Sequence, residues 1–135
     1  MSAKRWGPAL APVPLLLVVA AGCGGGARHA LPGCVHAASA VSAPSRFPLP
    51  DGAVLDSRRR QGGASVYTGY APGELEANRD FFRRELPKRG FRLGEGDAEE
   101  DEAETDFSGN GVDGHLRLHA IDGCEGAVSV AVVVR

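Results

Sequence analysis

Val128, Val130, Val132 and Val134 occupy every second position near the end of the chain, with Ser129, Ala131 and Val133 between them. A period of two belongs to a strand, because successive side chains leave opposite faces of the pleat, and β-branched residues suit that pleat. A strand with one continuous apolar face does not stand alone. Its ladder groups need neighbouring strands and its valines need a cover. This stretch therefore commits the chain to a sheet with at least one packed face.

The neighbouring sequence repeats the signal. From His115 to Ile121, Leu116, Leu118 and Ala120 alternate with His115, Arg117, His119 and Ile121. Asn110-Gly111 before it is a strong two-residue hairpin signal, and Gly123-Cys124-Glu125-Gly126 after it is a second turn. Upstream, Ala53-Val54-Leu55 follows an Asp51-Gly52 turn as a short strand. Ser65 to Tyr70 follows Gln61-Gly62-Gly63 as another. Phe91-Arg92-Leu93 starts a further strand and Thr105-Asp106-Phe107 one more.

Pro72 to Arg89 carries the one strong helical pattern. Leu75, Asn78, Phe82 and Leu86 fall on one face with Phe81 beside them, Glu74 and Glu76 lie near the start, and basic residues crowd the end. Pro72 suits a first turn, Pro87 weakens the last, and Gly90 suits the stop. The expected class is α+β: an antiparallel sheet of five to six strands with one helix on a face, in the order β-β-α-β-β-β-β.

The start of the chain has a different character. Lys4 and Arg5 precede an apolar stretch from Ala9 to Ala20, which gives way to Ala20-Ala21-Gly22. That is the layout of a secretory signal. The stretch is shorter than the roughly 20 apolar residues of a spanning helix, and Pro8, Pro12 and Pro14 interrupt it. Ala20-Ala21-Gly22-Cys23 resembles the lipobox of bacterial lipoproteins, although Ala20 stands where that motif usually has Leu or Val. The resemblance implies cleavage before Cys23 and a diacylglyceryl group on its sulfur. Gly24, Gly25 and Gly26 then suit a flexible tether. At about 0.8 kcal/mol per buried CH₂, two acyl chains hold a soluble domain at a membrane.

The expected organisation is a signal peptide over 1–22, a Gly/Ala/Ser/Pro-rich tether over 23–46 and one α+β domain over 47–135. The segment after residue 22 carries 13 bases and 17 acids, a net charge of −4 against −2 for the whole chain. Such a charge disfavours nucleic acid held by bulk positive charge. The expected location is the extracytoplasmic face of the cell membrane. The membrane is the expected partner through the lipid, and an envelope protein is a further candidate.

Cys34 and Cys124 remain once Cys23 is assigned to lipid. Outside the cytoplasm a disulfide is their expected state. A zinc site built from Cys34, His36, His119 and Cys124 is the alternative, but its spacing is poor.

Other clusters have plain readings. Eight carboxylates between Glu95 and Asp106 read as a solvated loop rather than a Ca²⁺ site, since no central turn folds them around an ion. Asp106 to Gly111 imitates the start of an EF-hand loop, but Arg117 stands where a bidentate Glu is required, so a β-turn is expected. His115 and His119 lie four apart on a strand, about 13 Å, too far for one ion. Arg58-Arg59-Arg60 with Arg46 reads as an exposed turn, with contact to anionic headgroups as the alternative.

No nucleophile elbow, P-loop, dinucleotide fingerprint or His-Glu-x-x-His motif is present. No catalytic residue, metal ligand or cofactor is assigned.

Pro48-Leu49-Pro50-Asp51-Gly52-Ala53, Tyr70-Ala71-Pro72 and Leu86-Pro87-Lys88-Arg89-Gly90-Phe91 are similar to small, uncharacterised lipoproteins and secreted domains of actinobacteria. That likeness implies the α+β fold and no activity. The expected function is ligand binding or an accessory role at the envelope. A small hydrolase-like or metal-dependent enzyme is the alternative, and a passive envelope component a third.

Overall fold

The computed structural model describes residues 30–135. The expected signal peptide, Cys23 and the first part of the tether lie outside the described residues. Six strands, β1 (Val54–Gln61), β2 (Ala64–Pro72), β3 (Arg92–Ala98), β4 (Glu102–Gly109), β5 (Val112–Ile121) and β6 (Cys124–Val134), form one antiparallel sheet in the order β1-β2-β6-β5-β4-β3. The helix α1 (Leu75–Lys88) joins β2 to β3 and returns the chain from one end of the sheet to the other. The class and element order are those expected.

The valine alternation works as anticipated. Val128, Val130 and Val132 are buried in β6, and Leu116 and Leu118 beside them in β5. Asn78, Phe82 and Leu86 of α1 are buried with them on this face. Asn78 is the polar member of that row. Its Nδ2 donates to the carbonyls of Pro72 and Glu74 at 3.0 and 3.1 Å, so the amide clamps the turn before the helix instead of going unsatisfied.

Several local expectations are corrected. Pro72 is the last residue of β2, opposite Ala127, and α1 begins after Glu74. Phe81 lies beside the buried face, as expected, with its ring against Phe82. Arg58, Arg59 and Arg60 lie within β1 and are paired with Tyr67, Val66 and Ser65, not in a turn. The acidic run is a hairpin rather than a loop: Asp97 pairs with Glu104 and Ala98 with Ala103, which leaves residues 99–101 as the turn. Main-chain pairing forms this hairpin despite side chains of low β propensity; those of β3 are nearly all in water, while Ala103 and Phe107 of β4 are buried.

Glycine is required at Gly69. β1 bulges after Leu55 and bends over β2, so a Cβ on Gly69 would lie 2.0 Å from the Val54 carbonyl oxygen. The Asn110-Gly111 turn closes β4 onto β5 with φ of 53° and 81°, as a type I′ turn demands. Asn110 Nδ2 also donates to the Arg89 carbonyl at 3.0 Å, which docks this hairpin on the end of α1.

The segment before β1 is attached to the fold from Cys34 onward. The Val41 amide donates to the Leu55 carbonyl at 2.7 Å, and Ser39 Oγ to that of Asp56 at 3.2 Å. Phe47 is buried among Phe82, Phe91 and Phe107 at centroid distances of 5.7, 6.3 and 5.4 Å. A disulfide joins Cys34 to Cys124 with their Cα atoms 5.7 Å apart. Both sulfurs of the zinc alternative are thereby used.

Candidate functional site

The sheet face away from α1 is the uncovered one. Register places Val66 and Thr68 of β2 beside Val133 and Ala131 of β6, then His115 and Arg117 of β5, then Asp106 and Glu104 of β4. One half of this face is small and apolar, the other ionic.

The ionic half is a ladder. His115 Nδ1 lies 2.8 Å from Asp106 Oδ1, and its Nε2 3.8 Å from Glu104. Arg117 Nε lies 3.2 Å from Glu102, and the same guanidinium contacts Glu104. His119 Nε2 stands 3.7 Å from Asp101 and 3.9 Å from Glu102. The two histidines thus face different carboxylates.

Glu102 and Glu104 project from the same face of β4 and share a hydrogen bond. A hydrogen bond from the Glu102 carboxyl to Glu104 raises the Glu102 pKa above the ordinary glutamate value, with lost hydration adding to it. The same bond lowers the pKa of Glu104, with Arg117 as the second cause. By linkage, Glu104 contributes stability above its unfolded pKa and loses it as pH falls through its lowered value. Glu102 does the reverse: its contribution is present below its unfolded pKa and lost as pH rises through its raised value. The pair therefore opposes itself in acid. Arg117 draws both pKa values down, so Arg117→Gln is expected to raise both midpoints in a carboxyl carbon-13 titration. Unchanged midpoints would remove Arg117 from the pair.

Beside the ladder lies a groove of about 490 Å³, lined in part by Arg92, Asp106, Asp113, His115, Val133 and Arg135. Its volume is that of a small-ligand site, but such sites enclose most of their ligand. Here Arg92, Asp106, Asp113 and Arg135 are exposed, so the groove suits a segment of a larger partner better than an engulfed small molecule. Asp106 orients the His115 ring, a geometry that a general base requires. Ser108 is the hydroxyl in the groove, and it accepts from Arg92 at 3.5 Å.

A second hollow of about 330 Å³ lies between α1 and β3–β4, floored by Phe82, Leu116 and Leu118, with Arg79 and Arg83 at its side. Arg79 Nε has no hydrogen-bond partner there, but Asp80 stands 3.8 Å from it. Among the described residues, no group of three or more His, Cys, Asp or Glu side chains converges as a metal cage, and no helix is long and apolar enough to cross a membrane.

The chain matches no known protein family model, no curated protein and no solved structure.

Proposed function

We propose that the chain is a lipid-anchored domain on the extracytoplasmic face of the cell membrane, acting there as a binding or accessory protein. The observation that carries this reading is the Cys34–Cys124 disulfide. Such bonds persist in oxidising compartments, which is where the signal-like start and Cys23 would deliver the chain. The bond also ties the fold to a point eleven residues from the expected lipid, so a short tether would hold the domain close to the bilayer.

The binding role draws on the uncovered face, where an open groove with both signs of charge adjoins an apolar strip. The His115–Asp106 pair favours the enzyme as second reading. Its weakness is exposure, because general-base chemistry gains from a site that excludes water.

The test is the intact mass of the protein extracted from its native membrane without reductant. The expected species lacks residues 1–22, carries a diacylglyceryl group and is two hydrogens lighter than its dithiol form. A chain cleaved elsewhere and free of lipid would overturn the anchor. Two free thiols would overturn the compartment.

A further inference from the structure

The charged residues that stand outside the ladder are sorted along the strands. One end of the sheet holds the β1–β2 and β4–β5 hairpins, the end of α1 and the starts of β3 and β5. Arg58, Arg59, Arg60, Arg89, Arg92 and Arg135 gather at this end, all exposed. Among the described residues none of the six pairs with a carboxylate, whereas Arg79, Lys88 and Arg117 do. Asp106 and Asp113 are the carboxylates in the groove that opens here, and His115 engages Asp106.

The opposite end holds the β3–β4 and β5–β6 turns and the start of α1, whose Gly73 amide donates to the Gly126 carbonyl at 2.8 Å. Glu74, Glu99, Glu100, Asp122 and Glu125 are exposed here. Cys34 is fastened to Cys124 at this same end.

From Cys124 to Val134 the strand spans about 33 Å. At 0.1 M salt the Debye length is about 10 Å, so neither pole screens the other and each presents its own sign. A lipid tether running from Cys34 would hold the acidic pole nearest the bilayer and leave the arginines at the far end of the domain.

We propose that the basic pole is a docking surface for a phosphate-bearing polyanion of the cell envelope. The argument is charge complementarity. Six guanidiniums without carboxylate partners are spread across one end of the sheet, from β1 to β3, suited to phosphates of an extended chain, and guanidinium matches phosphate geometry bidentately. The outward direction of this pole rests on the lipid-anchor reading; its affinity does not. Arg58, Arg59 and Arg60 are also kept from headgroups of the anchoring membrane by the length of the domain.

The experiment uses the full chain with its lipid in non-ionic detergent and inorganic polyphosphate as probe. Binding is expected to weaken steeply with salt, by about 0.7 in log affinity per log salt for each phosphate neutralised, by analogy with single-stranded nucleic acid. The triple variant R58S/R59S/R60S should bind at least tenfold more weakly at 0.1 M salt, and its salt slope should fall by about 2. Its sites are exposed, and an unchanged melting temperature shows that the fold is intact.

The variant E99Q/E100Q/E125Q is the control, with the same charge change in magnitude at the other pole. It should bind polyphosphate as the parent does. Equal binding by the triple arginine variant, or an equal change in the control, would overturn the proposal. So would tighter arginine-dependent binding to phosphatidylglycerol vesicles than to polyphosphate, which would make the partner a membrane. Arginine-dependent polyphosphate binding by a chain whose intact mass shows no lipid would uphold the pole and overturn only its orientation.

Discussion

Replacing Cys34 and Cys124 together with serine should cost the domain about 2 to 5 kcal/mol, the usual loss when a small secreted domain gives up a native bridge. The two residues are 90 apart in sequence, so the bond closes nearly the whole described chain into one loop. In the chain-entropy account a loop of that length restricts the unfolded state by about 4 to 5 kcal/mol. For a domain of this size each kcal/mol moves the melting temperature by about 4 to 8 °C, so the melting point should fall by at least about 8 °C. Thermal unfolding followed by circular dichroism, with and without reductant, measures it. The serine variant should be indifferent to reductant, and the parent should approach it when reduced. A parent that melts at the same temperature in reductant as without it would show that the bridge adds nothing to the fold. The arm before β1 is expected to loosen first, since the bond holds the start of that arm to β6.

The loss is expected to be large because of how the arm is built, and that arm was only partly legible in the sequence. Its composition, rich in Gly, Ala, Ser and Pro, is that of a tether. Its attachments are the disulfide, two hydrogen bonds to β1, the Phe47 ring and the partly buried Val41, Ala43 and Leu49, none of which leaves a periodic pattern. Elsewhere the pattern was strong enough. Valines at period two in β6, leucines at period two in β5 and the Leu75–Leu86 face of α1 each face a covered side of the sheet, so burial wrote them into the sequence. In the acidic β3–β4 hairpin Leu93, Ala103 and Phe107 pack on the core while the rest of β3 is in water, so the apolar signal there is weak. The ionic ladder was within reach. Once Asn110-Gly111 is taken as a two-residue turn, Gly109 must face Val112, and the register then sets Asp106 against His115, Glu104 against Arg117 and Glu102 against His119. A carboxylate opposite a histidine or arginine at three alternate cross-strand positions is the signal, and it is visible only after the turn has fixed the register. The groove and the two charged poles required the strand order, which local patterns do not specify.

Phe47→Ala should destabilise the domain by about 3 to 5 kcal/mol, the range for removing a buried aromatic ring from a core. Phe47 is 6 % exposed, although it precedes β1 and stands between Arg46 and two prolines at 48 and 50. Its ring is the only contribution from the arm to the phenylalanine cluster, and it touches all three partners: Phe82 of α1, Phe91 just before β3 and Phe107 of β4. Those partners come from elements far apart in the chain, so the ring ties arm, helix and sheet together at the end where Asn110 docks on α1. Chemical denaturation of the variant measures the loss. A double-mutant cycle with Phe107→Leu isolates the ring–ring contribution, expected at about 0.5 to 1.5 kcal/mol beyond area burial. A loss below about 1 kcal/mol would mean that the arm lies on the domain without completing its core. The domain would then begin at β1, and the disulfide would restrain a loosely attached segment. A loss in the expected range makes residues 30–53 part of the folding unit, so that any tether to the membrane must be confined to the residues before them.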